Sequence, residues 1–176
     1  MEDSSPNIPL LLEPEQLQAL LGQPSLLIID ICTPSRYQEG HIEGAVHISP
    51  GETQLGTPPA PGKMPTEESL EQLFKKIGLT DDRHVVVYDD EGGGWAGRFI
   101  WLLDSIGHTK YSYLNGGYLA WEDENRPLTQ VTHPIPASNY RARINHNHTA
   151  SLDEVLGALN ETATVIWDAR SPQEYR

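Results

Sequence analysis

The sequence predicts an α/β protein in which a parallel β-sheet carries helices on both faces. Apolar strand-like runs alternate with helical segments along the chain, and the clearest run, HVVVY at 84–88, holds three consecutive valines. An uninterrupted apolar strand is typical of a parallel sheet, because the connecting helices bury both of its faces. In addition, residues 150–176 begin to repeat the opening of the chain, which predicts a second copy of the same folding unit.

The first elements follow from apolar spacing and from the residues that interrupt it. Apolar residues at helical spacing predict a helix over 14–21, which a glycine and a proline end. The run LLIID at 26–30 predicts a buried strand. We interpret residues 35–40 as a charged turn that leads to a short strand at 45–48.

A loop, a capped helix and the clearest strand come next. Five prolines between residues 49 and 65 predict a loop. Thr66 can cap a helix that runs to about Ile77, with acidic residues in its first turn and lysines in its last, where they complement the helix dipole. The strand at 84–88 follows this helix.

Glycines mark the starts of the next two helices. Gly92 to Gly94 open one helix, and the strand at 111–114 precedes Gly116, Gly117 and another helix. Residues 127–149 contain three prolines and are interpreted as a linker.

The end of the chain repeats its beginning at an offset of 138 positions. Asp168 corresponds to Asp30, and no gap is needed between residues 150 and 176. Four further pairs match: Leu159 with Leu21, Ile166 with Ile28, Pro172 with Pro34 and Tyr175 with Tyr37. Because solenoid repeats span only about 20–50 residues, this offset predicts two copies of a whole domain.

The repeat predicts three regions. We expect a complete first domain over 1–130, a linker over 131–149 and the start of a second, truncated domain over 150–176. The second domain should begin with a helix at 152–159 and a strand at 164–168. Without the rest of a sheet, we expect this tail to be mobile or to drive association.

Composition limits the possible partners and the compartment. There are 25 acidic residues against 12 basic ones, a formal charge of −13, and we expect neither nucleic acid nor membrane as a partner, since both are recruited by basic patches. The single cysteine excludes an intramolecular disulfide and fits a reducing compartment. With no signal-like or membrane-spanning apolar run, we expect a cytoplasmic protein.

The loop after the clearest strand is the first candidate site, because ligands of such sheets bind at the carboxyl ends of the strands. A strand, a tight turn and a helix N-terminus aim free backbone N–H groups at the turn, an arrangement that favours an anion. The loop itself supplies three carboxylates that could satisfy these donors and would repel an added phosphate. Its residues are Asp89, Asp90, Glu91, Gly92, Gly93 and Gly94.

The same loop contains a bare dinucleotide-binding pattern, Gly92-x-Gly94-x-x-Gly97. The pattern normally lies in the first strand–helix unit, with an acidic residue after the next strand, whereas Asn115 occupies that position here. We therefore expect no cofactor and interpret the glycines as sites of tight helix–sheet packing.

Several segments resemble one known family. Arg36-Tyr37-x-x-Gly40-His41-Ile42-x-Gly44-Ala45 resembles the amino-terminal signature of rhodanese domains, and Leu114-Asn115-Gly116-Gly117-x-x-x-x-Trp121 resembles their carboxyl-terminal signature. Asp168-Ala169-Arg170-Ser171-Pro172-Gln173-Glu174-Tyr175 resembles the opening of another such domain. The arrangement is similar to that of tandem-domain thiosulfate and 3-mercaptopyruvate sulfurtransferases.

This resemblance implies a rhodanese-like fold and a division of labour between two domains. In that family the second domain carries a cysteine on the loop after its central strand, while the first domain has usually lost it. The resemblance places Asp89 at the nucleophile position, so we expect no catalytic residue in this chain and a vestigial active-site loop at residues 89–94. The full-length relatives act on small sulfur-containing substrates and carry the transferred sulfur as a cysteine persulfide.

Two functions remain open. The chain is either the non-catalytic half of a thiosulfate-type sulfurtransferase, or a cysteine-free rhodanese module that acts as a binding or regulatory domain through residues 89–94. The unfinished repeat favours the first, because a binding module has no reason to keep a core strand without a sheet to bury it.

Other chemically capable residues are given structural roles. We expect Cys32 to be a partly buried free thiol, since a reactive cysteine needs a cationic or helix-terminal setting. His41 could act as a base, but a hydrogen-bonded role in its turn is favoured. Asp30 and Asp168 should cap the turns that follow their strands.

The remaining candidates are also assigned to packing or to solvent. His146 and His148 lack the further ligands that a metal needs, so we expect no metal. In full-length relatives the region after Asp168 helps to form the entrance to the active site, but here we do not expect a site there. The residues concerned are Arg170, Glu174 and Arg176. Four tryptophans are expected in the core or between domains: Trp95, Trp101, Trp121 and Trp167.

Overall fold

The computed structural model describes residues 8–58 and 60–175, apart from the side chain of Glu174. The chain divides into two compact units, Met1–Asn145 and His146–Arg176. The strands of the first unit are β1 (Leu11–Leu12), β2 (Leu26–Asp30), β3 (Ala45–His47), β4 (His84–Tyr88) and β5 (Tyr111–Leu114). Its α-helices are α1 (Pro14–Leu20), α2 (Pro34–Glu39), α3 (Glu67–Lys76), α4 (Gly94–Ser105) and α5 (Gly117–Asp123), and a 3-10 helix (Pro50–Thr53) lies within the segment predicted as a loop. Across the described residues, no helix combines the length and apolar character needed to cross a membrane.

The strands form one parallel sheet in the order β1-β5-β4-β2-β3. Its centre is the pair β2 and β4, which align Leu26 with His84 and Asp30 with Tyr88. Side chains alternate across β4, so that Val85 and Val87 join one apolar cluster while Val86 and Tyr88 join the other. The predicted fold class, a parallel sheet covered on both faces, is confirmed.

Each face of the sheet is covered by its own helices. Phe74 of α3 and Phe99 of α4 pack edge to face, with ring centroids 6.0 Å apart, in the cluster on one face. Leu17 of α1 and Trp121 of α5 are buried in the cluster on the other face. Burial of such side chains stabilises the fold by about 1.5–3 kcal/mol each.

The caps predicted for α3 are present. The hydroxyl of Thr66 accepts a hydrogen bond from the backbone N–H of Ser69 at 3.2 Å, and Lys75 and Lys76 lie in the last turn. Gly78 has φ +73° beyond the end of the helix, and a Cβ there would lie 2.5 Å from the side chain of Ile135.

In the first unit, one local interpretation made from the sequence was wrong and one strand was not predicted. The expected charged turn forms α2, whose first residue is Pro34, a proline position that favours helix initiation. The strand β1 was not expected, because only two residues, Leu11 and Leu12, pair with β5. Such a short edge strand leaves no recognisable apolar pattern.

The first part of the predicted linker packs on the first unit. His41 and Thr129 exchange two backbone hydrogen bonds of 2.9 Å, and the N–H of Ser138 donates to the carbonyl of Lys75 at 3.0 Å. Ala142 is only 3% exposed within the core. Residues 127–145 therefore complete one side of the core, whereas the domain boundaries themselves remain predictions.

The second unit contains a 3-10 helix (His146–His148), α6 (Leu152–Ala158) and α7 (Pro172–Tyr175). The first residue of α6 lies 138 positions after that of α1, and the first residue of α7 lies 138 positions after that of α2. Ser151 and Glu154 form a capping box at the start of α6. The strand expected at 164–168 does not form, because the described residues of this unit supply no neighbouring strand. Val165 and Trp167 are consequently 84% and 88% exposed.

Candidate functional site

The carboxylate of Asp89 fills the turn between β4 and α4. One oxygen, Oδ1, accepts hydrogen bonds from the backbone N–H groups of Glu91 at 3.1 Å and Gly93 at 2.8 Å. The other, Oδ2, accepts from Trp95 at 3.0 Å and Ala96 at 2.9 Å. Asp89 as a whole is 1% exposed. The helix N-terminus therefore already holds an anion, supplied by the chain itself.

Backbone geometry around Asp89 depends on glycine at several positions. Gly92 and Gly93 have φ values of +80° and +97°, which bend the loop around the carboxylate. The N–H of Tyr118 donates to the carbonyl of Asp89 at 2.9 Å, so α5 begins directly against the loop. A Cβ at Gly117 would lie 2.4 Å from that carbonyl oxygen, which explains the second glycine of the pair.

Tight helix–sheet packing is the wrong explanation for the glycine pattern. A Cβ at Gly92, Gly94 or Gly97 would meet no atom within 4 Å. Glycine is needed at position 92 because φ is positive there. The backbone N–H groups that a dinucleotide phosphate would use are hydrogen-bonded to the carboxylate of Asp89.

The other two acidic residues of the loop do not enter the turn. Glu91 accepts a hydrogen bond from the indole N–H of Trp95 at 3.1 Å. The Oδ1 atom of Asp90 is buried and has no hydrogen-bond partner in the described part of the chain. The guanidinium of Arg36 lies 5.0 Å above the ring of Tyr118.

A second buried carboxylate lies at the end of β2. Oδ1 of Asp30 accepts from the N–H of Cys32 at 2.8 Å, which confirms its predicted role as a cap of the turn. Oδ2 accepts a 2.5 Å hydrogen bond from the hydroxyl of Tyr88, which in turn accepts from the N–H of Ile42 at 3.2 Å. Burial raises the pKa of Asp30, an effect opposed by these hydrogen bonds.

Cys32 is more deeply buried than expected, with no exposed surface. Burial, followed by the charge of Asp30, raises the pKa of its thiol far above the ordinary range. The thiolate, which is the nucleophilic form, is therefore disfavoured. The structural assignment of Cys32 agrees with this environment.

His41 holds its turn, as predicted. Its Nδ1 lies 3.0 Å from the carbonyl oxygen of Tyr37, and its Nε2 lies 3.3 Å from that of Val131. The ring stacks on Tyr37 with centroids 3.9 Å apart. Both nitrogens thus face backbone carbonyl oxygens, which supports the hydrogen-bonded role in the turn over a role as a base.

The remaining candidates do not converge on a site. Between residues 8 and 175, Pro59 aside, no group of three or more potential ligands could hold a metal, and His146 and His148 lie in a 3-10 helix. Asp168 caps the N–H of Arg170 at 2.9 Å and also pairs with its guanidinium. Arg176 and the Glu174 side chain lie outside the described residues.

The tryptophans divide by environment. Trp121 is fully buried, while Trp95 and Trp101 pack at the margin of the core and Trp167 is exposed. Trp121 donates its indole N–H to the carbonyl of Pro127 at 3.0 Å.

Sequence reasoning missed two residues that shape the loops. Tyr88 links β2 and β4 through Asp30, and this contact depends on a strand register that the sequence does not reveal. Gly117 was noted only as the start of a helix, although its φ of +58° and its contact with Asp89 make it essential to the loop. The adjacent pair of glycines after β5 was the signal available in the sequence.

Comparison with known proteins identifies the family. The family model described as a rhodanese-like domain matches residues 13–124. The chain is 53% identical over 175 residues to the thiosulfate sulfurtransferase of Azotobacter vinelandii, covering 99% of this chain and 64% of the relative. It is 45% identical over 170 residues to the thiosulfate sulfurtransferase of Pseudomonas aeruginosa, covering 96% and 62%.

Comparison with solved structures finds the same kind of protein. The crystal structure of SseA from Escherichia coli, whose description names the rhodanese fold and 3-mercaptopyruvate sulfotransferases, matches with a TM-score of 0.86 and 27% identity over 94% of this chain and 67% of that chain. The chain spans less than two thirds of the length of the curated relatives named above. On the family model and these identities, the chain belongs to the rhodanese family and its homologues are sulfurtransferases.

Proposed function

We propose that this chain is the non-catalytic half of a thiosulfate-type sulfurtransferase, with a first domain that supports a catalytic second domain. The observation that carries the proposal is the carboxylate of Asp89, which occupies the N–H groups of the loop at 89–94. A carboxylate cannot form a persulfide, so the vestigial loop holds its shape without a nucleophile.

The chemistry belongs to the full-length form. There, a cysteine thiolate attacks the outer sulfur of thiosulfate, and the S–S bond breaks with its electron pair leaving on sulfite. The resulting persulfide passes its outer sulfur to cyanide or to a thiol, which regenerates the thiolate. Within the present chain Cys32 is the only thiol, and its burial beside Asp30 opposes such a role.

The second unit supports the proposed domain organisation. Both of its α-helices start at the repeated positions, and Asp168 caps its turn as Asp30 does in the first unit. The counterpart of residues 164–168 is β2, which lies between β3 and β4. Both of those neighbours follow β2 in the chain, so a second sheet would need strands that come after Arg176.

An activity assay tests the proposal. We expect the purified 176-residue chain to produce no thiocyanate from thiosulfate and cyanide above the buffer rate, with or without Cys32→Ser. A natural or engineered chain extended by the homologous second domain should be active. Sulfur transfer by the 176-residue chain that disappears in Cys32→Ser would overturn the proposal. Inactivity of the extended chain would favour the binding or regulatory alternative.

Limited proteolysis tests the domain boundaries. Residues 127–145 are hydrogen-bonded to the rest of the first unit. We therefore expect early cleavage after Asn145 and protection of residues 131–145 from the protease. Early cleavage within 131–145 would instead place the boundary near residue 130.

A further inference from the structure

The junction between β5 and α5 contains a chemically labile dipeptide, Asn115-Gly116. The chain has seven asparagines, and Asn115 alone is followed by glycine. A glycine without Cβ lets its backbone nitrogen approach the preceding side-chain amide, which makes asparagine before glycine prone to loss of that amide. Asn115 is only partly buried, so water and hydroxide can reach it.

The side chain of Asn115 links the carboxyl ends of the neighbouring parallel strands β1 and β5. Its Nδ2 donates to Oε1 of Glu13 at 2.9 Å, and its backbone N–H donates to the carbonyl of Leu12 at 2.8 Å. Glu13 is also the N-cap of α1 and forms a capping box with Gln16. One neutral amide therefore joins the end of β5 to the start of α1.

We propose that Asn115 is a site of spontaneous deamidation, and that the carboxylate formed there repels Glu13 and loosens β1 and α1 from the sheet. The backbone N–H of Gly116 loses its proton to hydroxide, and the nitrogen attacks Cγ of Asn115. The Cγ–Nδ2 bond then breaks, and the amide nitrogen takes a proton from water and leaves as ammonia. Water then adds to the cyclic imide and opens it to aspartate or isoaspartate.

Deamidation changes the contact between residue 115 and Glu13 from attraction to repulsion. A hydrogen-bond donor to the Glu13 carboxylate becomes a second carboxylate, and like charges at this separation repel. Isoaspartate also lengthens the backbone by one carbon next to the N–H that pairs with Leu12. The segment that is released carries Leu12 and Leu17, both buried in the core.

Mass spectrometry of aged protein tests the modification. The full chain is incubated at mildly alkaline pH, and proteolytic peptides are followed over time. We expect deamidation to appear at Asn115 before any of the other six asparagines, and to be absent at this position in Asn115→Gln. A rate at Asn115 no higher than at the other six would overturn the proposal.

Hydrogen exchange tests the structural consequence. In Asn115→Asp we expect the backbone amides of residues 8–21 to exchange on the order of tenfold faster than in the wild type. The reason is that repulsion between two carboxylates near the protein surface makes local opening of this segment easier. Glu13→Gln together with Asn115→Asp should restore protection, because the new amide donates to the new carboxylate. Glu13→Gln alone is the control for the cap. Unchanged exchange in Asn115→Asp, or no restoration in the double variant, would contradict the charge mechanism.

Discussion

Removal of the Asp89 carboxylate should destabilise the first unit more than any other single charge change in its loop. In Asp89→Ala, four backbone N–H groups lose their acceptor. Each buried donor left unpaired costs about 1–3 kcal/mol, and water that enters the space restores part of this. We expect a loss of about 3–5 kcal/mol in the free energy of unfolding, and a fall in Tm of roughly 10–15 °C.

The variant Asp89→Asn removes the negative charge but keeps one of the two oxygen acceptors. The amide oxygen can still accept from two N–H groups, but its NH₂ group then faces the two other donors. We expect a loss of about 2–4 kcal/mol. Glu91→Gln is the matched control, since it removes the same charge from an exposed side chain of the loop and keeps an oxygen for the indole N–H of Trp95, and it should change stability by about 0.5 kcal/mol or less.

Urea denaturation of the three variants measures these differences, and anion rescue tests their cause. Formate is the carboxylate that Asp89→Ala removes. At ten times its dissociation constant it should restore about 1.4 kcal/mol to that variant, and chloride at equal ionic strength should restore less. A loss below about 1 kcal/mol in Asp89→Ala, or equal effects of formate on variant and wild type, would refute the reasoning.

Three further predictions concern other parts of the first unit. Burial, followed by the charges of His108 and Lys110, lowers the pKa of His84 to about 4, so the unfolded chain binds more protons below about pH 6.5. Urea titrations should therefore show stability falling as pH is lowered from about 6.5 to 4, and His84→Gln should reduce this slope. Gly117→Ala should lose about 2–4 kcal/mol of unfolding free energy, because its Cβ meets the Asp89 carbonyl, whereas Gly97→Ala inside α4 should gain about 0.5–1 kcal/mol. Since its pKa is raised, Cys32 should react with a thiol reagent at pH 8 only after unfolding; fast modification of the folded protein would contradict the buried assignment.

The sequence predicted most elements whose signals are local. Strands β2, β4 and β5 are contiguous runs, and α3 carries recognisable caps at both ends. The pairing of β1 was unpredictable, because its two residues become a strand only beside β5. The strand expected at 164–168 also depends on a partner. Its apolar run was recognisable in the sequence, but it forms no strand because no other strand lies beside it in the part of its unit that the structure describes.

The candidate site was predictable in part. The loop and its ability to satisfy its own donors followed from three acidic residues before a glycine-rich helix start, and Asp89 supplies that acceptor. The partnership of Asp30 with Tyr88 depends on the register of β2 against β4. Contacts across strands that are distant in sequence carry no local signature.

The position of β1 beside β5 sets how early the sheet can be completed during synthesis. Leu11 pairs with Tyr113, so β1 leaves the ribosome about a hundred residues before its partner strand. The interior strand β2 likewise precedes both of its neighbours, β3 and β4, in the chain. Until β5 has emerged, one edge of β4 has no partner strand and β1 has no sheet to join, so the nascent chain keeps apolar segments open to aggregation.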